Sequence, residues 1–150
     1  MQYPLSKLRW FNSELLVKYP HLTKKEAILW GKYLSIHVKD FENIAYDVTV
    51  SDNASPFAFP GRSVIRNWAY LKSLKIDVLA RSKYSYYIYE IKPLLDIKAI
   101  GQVQIYETLL KSLYYVDMNI RKVILTSFSN SVLESAAEAL GIKILLISGE

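Results

Sequence analysis

The sequence predicts an α/β domain in which a mixed central sheet is flanked by helices, with an extra helix at the N-terminus. Three observations lead there. Residues 75–92, KIDVLARSKYSYYIYEIK, read as two apolar and aromatic strands joined by a tight turn. Residues 121–148 read as strand, helix and strand, a βαβ unit. The runs VILT and ILLI within that unit lack polar alternation, the pattern of strands covered on both faces.

Taken in order, residues 5–18, LSKLRWFNSELLVK, place Leu5, Leu8, Phe11 or Asn12, Leu15 and Leu16 near helical spacing before Tyr19-Pro20 ends the run. This is the expected extra helix. Residues 21–37, HLTKKEAILWGKYLSIH, predict a second one. Thr23 is its N-cap, Glu26 stands three residues on, and Ile28, Leu29, Tyr33 and Leu34 share a face. Residues 44–50, IAYDVTV, are β-branched and aromatic and predict a strand, and 51–62 collect turn formers into an exposed loop. Residues 63–74, SVIRNWAYLKSL, fit either a strand or a short helix. After the hairpin come a helix over about 97–115, the strand RKVILTS, the helix NSVLESAAEALG with Gly141 as its stop, and the closing strand IKILLIS.

At 150 residues the chain has the length of one domain, 1–150, able to bury about two thirds of its unfolded surface. A hydrophobic share of 51% with 22% charged residues places it among globular proteins. There is no cysteine, which excludes disulfides, thiolate catalysis and cysteine-ligated zinc. The apolar runs fall short of the roughly 20 residues a spanning helix needs, and the N-terminus lacks the features of a secretory signal. The chain therefore reads as soluble, intracellular and cytoplasmic, without a membrane partner. Its charge of +5 favours contact with polyanions.

The hairpin carries three charges that a sheet hides only at a cost: Asp77, Glu90 and Lys92. Side chains alternate along a strand, so Ile88, Glu90 and Lys92 share one face. A two-residue turn at Ser82-Lys83 would make Glu90 a diagonal neighbour of Asp77, whereas a four-residue loop would set the two directly opposite. An odd loop without a bulge would part them. Two adjacent carboxylates repel unless a cation lies between them. A hard divalent ion such as Mg²⁺ or Mn²⁺ takes oxygen ligands, here Asp77, Glu90 and the backbone carbonyl of Ile91. Lys92 beside it could stabilise a developing anion, which is the chemistry of phosphodiester cleavage. The same three residues also read as an ion-pair cluster on a solvated face.

On the following helix, Gln102, Tyr106, Leu109 and Leu113 form one stripe, so Gln102 is either a polar member of the site or the stripe's edge, and Gln104 faces solvent. His21 and His37 have no ligand partner at zinc spacing and are read as surface or capping residues.

Asp77, a 12-residue interval, Glu90-Ile91-Lys92, and then a helix with Gln102-Val-Gln-Ile-Tyr106 together resemble the PD-(D/E)XK nuclease superfamily, in its RecB-like and Holliday-junction-resolvase-like branches. The stretch EIKPLLDIKAIGQVQIYE has their character, and the resemblance covers residues 75–147. It implies a restriction-endonuclease-like fold and metal-dependent cleavage of phosphodiesters, most readily in DNA. It implies Asp77 and Glu90 as metal ligands, Lys92 as the catalytic cation and Gln102 as a site residue. The superfamily's further glutamate, on the helix before the meander, matches Glu26, which equally forms a capping box with Thr23. Ile76 stands where the superfamily's name has proline. Two alternatives fit the same residues: a Holliday-junction resolvase, which would require a homodimer, and a nucleic-acid-binding domain that kept the fold without the activity.

Overall fold

A computed structural model describes residues 2–50 and 74–148. The loop read over 51–62 lies outside them, as does the ambiguous stretch up to residue 73, with Arg62, Arg66, Trp68 and Lys72. In chain order the elements are β1 (Tyr3–Pro4), β2 (Trp10–Asn12), α1 (Lys24–His37), β3 (Asn43–Thr49), β4 (Lys75–Arg81) and β5 (Ser85–Ile91). Then follow α2 (Ile97–Leu113), β6 (Tyr114–Tyr115), β7 (Asn119–Thr126), α3 (Ser131–Ala139) and β8 (Ile142–Leu146). Six strands form one mixed sheet in the order β2-β3-β4-β5-β7-β8. Neighbours from β2 to β5 run antiparallel, and β5, β7 and β8 run parallel. With three helices against it, this is the mixed α/β architecture expected of a restriction-endonuclease-like fold. Among the described residues no helix is long and apolar enough to cross a membrane.

Helix α1 begins where the sequence signals it. Thr23 is extended and accepts from the Glu26 amide, while the Glu26 carboxylate accepts from the Thr23 amide, completing the box. Its buried residues Leu29, Trp30, Tyr33 and Leu34 pack on one face of the sheet, against Ile44, Tyr46, Val78, Tyr89, Ile91, Val123 and Leu125. Helices α2 and α3 cover the other face. Tyr106 and Leu110 meet Ile76, Leu79 and Ile88 there, and Val103 and Ala137 meet Ile124. Consecutive β7 residues Val123, Ile124 and Leu125 thus belong to opposite layers, which is why VILT shows no polar alternation. Gly141 adopts φ +75, a left-handed position that suits the residue ending α3.

The helix expected over 5–18 does not form. Leu5–Lys7 make a single 3₁₀ turn, and Trp10–Asn12 become strand β2 on the edge of β3, in the register Trp10↔Ala45 and Phe11↔Ile44. Trp10 packs with the α2 layer and Phe11 with the α1 layer, so two adjacent residues face opposite ways, as a strand allows and a helix does not. The open backbone of β3 supplied a partner that outweighed a weak helical pattern. At the far end of α2 the helix stops at Leu113, and Tyr114–Tyr115 pair in parallel with Tyr3–Pro4.

The β3–β4 ladder contains an irregularity that matters below. It registers Tyr46↔Val78 and Val48↔Ile76 on either side of Asp47 and Asp77. Tyr46 and Val78 face the α1 layer, whereas Val48 and Ile76 face the other. Residues two apart should share a face. Both strands therefore change sides at the Asp47/Asp77 position, and Asp47 takes φ 54 to do so.

Candidate active site

The hairpin resolves the turn alternatives in favour of the four-residue loop. Arg81↔Tyr86 is its last pair, and Ser82 to Ser85 close the turn through Ser82 N–H donating to the Ser85 carbonyl at 2.9 Å. Ser82 Oγ adds a bond to the same carbonyl at 3.0 Å and accepts from the Ser85 amide at 3.1 Å. The register runs through Ala80↔Tyr87 and Leu79↔Ile88 to Val78↔Tyr89, which leaves Asp77 and Glu90 as the next residues along the two strands. The two carboxyls lie close enough that the Asp77 charge acts on Glu90.

Asp77 Oδ2 accepts from the Ile91 amide at 3.0 Å. The Lys92 amide instead donates to Leu125 on β7, at 2.8 Å. Within one strand residue N–H and C=O point to the same edge, so the Ile91 carbonyl is directed to the β4 side as well. Glu90 is 8% exposed, and its Oε2 is buried without a hydrogen-bond partner. Burial pushes the Glu90 carboxyl well above the usual carboxylate range, and Asp77 and Glu26 push the same way against Lys92. Burial also raises Asp77, opposed by the Ile91 amide and reinforced by Glu26. An orphaned buried oxygen in a pair that repels its own second charge is the chemistry a hard divalent ion relieves. Asp77, Glu90 and the Ile91 carbonyl therefore fit an oxygen-ligated ion.

Lys92 is half-buried, and its Nζ lies 3.6 Å from Asp96 Oδ2. Asp96 also caps α2 by accepting from the Ala99 amide at 2.8 Å. One carboxylate thus joins the lysine to the helix start. Reading α2 from residue 97 overlooked Asp96, although an aspartate just before an apolar run is a cap signal.

Glu26 has one oxygen on the Thr23 amide at 2.9 Å, and its charge reaches both Asp77 and Glu90. Among the described residues no three or more His, Asp or Glu side chains close around a point that could hold a metal. Gln102 is half-buried beside the stripe that α2 buries, which runs through Ala99, Ile100, Val103, Tyr106 and Leu110. Gln104, read as solvent-facing, instead accepts from Lys122 Nζ at 2.9 Å. That lysine, 9% exposed, also meets Glu107 at 3.0 Å, and a buried cation needs such partners.

His21, expected as a surface or capping residue, makes contact with strand β3. Its Nε2 lies 3.0 Å from Asp47 Oδ2, and Lys75 Nζ lies 3.5 Å from the same oxygen. His21 (φ 59) and Asp47 (φ 54) are the positive-φ non-glycine residues among those described, and they hold each other. Both strained residues thus sit beside the irregularity in the β3–β4 ladder. Asp47→Ala is expected to cost about 1 kcal/mol more than Asp47→Gly, because only alanine carries the left-handed backbone penalty. Urea titration of the two variants measures the difference. His37 meets Asp40 at 2.6 Å near the end of α1, a local contact.

A mixed sheet whose β4–β5 hairpin presents paired carboxyls and a lysine beside a helix start is the class of site described here. No family model matches the chain, and no curated protein matches it. Among solved structures it is similar to the crystal structure of a repair endonuclease from Pyrococcus abyssi, with 20% sequence identity and a TM-score of 0.44. That similarity covers 51% of this chain and 34% of the other, about a third of the longer protein.

Proposed function

We propose that the chain is a divalent-metal-dependent nuclease that hydrolyses phosphodiester bonds, acting on DNA, within a single domain spanning residues 1–150. The observation that carries this reading is the convergence of Asp77 on Glu90 with a buried carboxylate oxygen left unpartnered. Asp77, Glu90 and the Ile91 carbonyl would hold Mg²⁺ or Mn²⁺, with Glu26 adding negative charge from α1. When bound, such an ion lowers the pKa of water and offsets charge building on the phosphoryl group.

The remaining work falls to the chain's own groups. Lys92 Nζ donates to a non-bridging phosphate oxygen, and Asp96 holds that ammonium group at the start of α2. Gln102, half-buried at the rim of the same helix, offers an amide for the attacking water or the phosphate. A backbone phosphate needs positive surroundings, and exposed Lys24 and Lys25 precede Glu26 on the first turn of α1.

The test is cleavage of labelled DNA in Mg²⁺ by the wild type and by Lys92→Ala. The wild type is expected to cut, and the variant to be slower by about 100-fold or more, the effect of removing one positioned charge donor. Equal rates for the two, or no cutting by either, would remove the assignment.

A further inference from the structure

A groove of about 470 Å³ is lined by Lys25, Ile28, Leu29, Pro93, Ser127 and Phe128. Two of these residues are chain neighbours of site residues: Lys25 precedes Glu26 and Pro93 follows Lys92. Phe128 is 68% exposed and Leu94, bridged to it, is 64% exposed. Apolar side chains so open to water commonly sit on loose loop tips, but these do not. The Pro93 carbonyl accepts from the Ser127 amide at 3.0 Å, the Phe128 amide at 3.1 Å and Thr126 Oγ1 at 3.2 Å. The Phe128 carbonyl in turn accepts from the Leu95 amide at 2.9 Å. The loop after β5 and the loop after β7 are therefore fastened together, and the aromatic ring is held out on a rigid mount.

An exposed ring on a fastened backbone, lining a mostly apolar groove together with a lysine, suits a flat, uncharged π-system attached to an anion. A volume of about 470 Å³ also lies in the range of small-molecule sites rather than of flat protein interfaces. We infer that this groove takes an unstacked nucleobase of the strand whose phosphate lies at Asp77, Glu90 and Lys92, with Phe128 as its stacking platform and Lys25 on the adjoining phosphate. The inference rests on the nuclease reading for the position of that phosphate, and it names the substrate class. A base in the groove cannot remain paired within a duplex, so the favoured substrate is single-stranded or carries an unpaired nucleotide at the cleavage point.

The test separates the two readings by omitting the metal. Fluorescence anisotropy in EDTA would compare a short labelled single strand with a blunt duplex of the same sequence, for the wild type, Phe128→Ala and Phe128→Trp. The wild type is expected to bind the single strand about 10-fold more tightly than the duplex, a preference lost in Phe128→Ala and kept in Phe128→Trp, the scale of one aromatic–base stack. Phe128 is exposed, so both variants should fold. Cleavage plays no part in this measurement, and a protein that cuts nothing could still show the preference. Equal binding of the single strand by wild type and Phe128→Ala would overturn the inference. So would a shift from dimer to monomer in Phe128→Ala by sedimentation, which would assign the groove to a second copy of the chain.

Discussion

Glu90→Gln is expected to abolish metal-dependent cleavage while making the metal-free protein more stable at pH 8. Most substitutions at a buried site destabilise, so the two directions together are diagnostic. Glu90 is buried on β5 opposite Asp77, and its Oε2 has no hydrogen-bond partner. Burial first, then the Asp77 charge, drives its carboxyl upward. At pH 8 the unfolded chain carries this group as a carboxylate, whereas the fold must either keep its proton or hide the charge, and both oppose folding. Glutamine preserves the shape, removes the titration and can donate an amide hydrogen to Asp77. The gain should be on the order of 1–3 kcal/mol by urea titration in EDTA. Cleavage should fall by about 1,000-fold or more, because an amide is a far poorer ligand for a hard cation than a carboxylate. A variant that is less stable yet still cuts would contradict the site.

The second large effect is a pH dependence that a metal should reverse. Asp77 is pushed up to about 6 and Glu90 to about 9, in both cases chiefly by burial. Carboxyls with raised folded values bind more protons in the fold than in the unfolded chain once the pH exceeds about 4. The slope of stability with pH is then negative. The metal-free protein should lose stability as the pH rises from about 4 to about 9, the window between the unfolded and folded titrations. Mn²⁺ should raise the melting temperature most at the upper end, where the ligands give up their protons with least cost. Calorimetric titration at pH 7 in two buffers of different ionisation enthalpy should register about one proton released per ion bound. The same scans on Glu90→Gln isolate the pair from every other titrating group. Stability that stays flat or rises over this window in the wild type, with no response to Mn²⁺, would rule out a carboxylate-held cation.

Local signals account for much of what could be read in advance. Thr23 and Glu26 are three residues apart and solvent-accessible, so their capping box needed nothing from the rest of the chain. The hairpin is similar in part: alternation places Glu90 and Lys92 together and either even loop brings Asp77 near them, whereas the change of sides that β4 makes at Asp77 was not legible there. Asp96 was legible by the same logic, as a cap before an apolar run, yet it was passed over. The two glutamines show where pattern fails. A stripe drawn through Gln102 differs by one residue from the stripe through Val103 that α2 buries, and only the position of Lys122 on β7 drew Gln104 into a bond.

What the sequence by itself determined is the set of contacts made within one element or one tight turn: helix caps, strand runs covered on both sides, and the pairing parity of Asp77 with Glu90. Those depend on residues a few positions apart, where backbone geometry leaves few choices. Tertiary structure alone decided that residues 10–12 became an edge strand rather than part of a helix. It also decided that Asp47 meets His21 beside the ladder's irregularity and that Phe128 stands beside Leu94 over a groove. Each of these joins segments far apart in the chain, and their energies come from an open strand edge, an ion pair or a shared loop that exists only after the sheet has assembled.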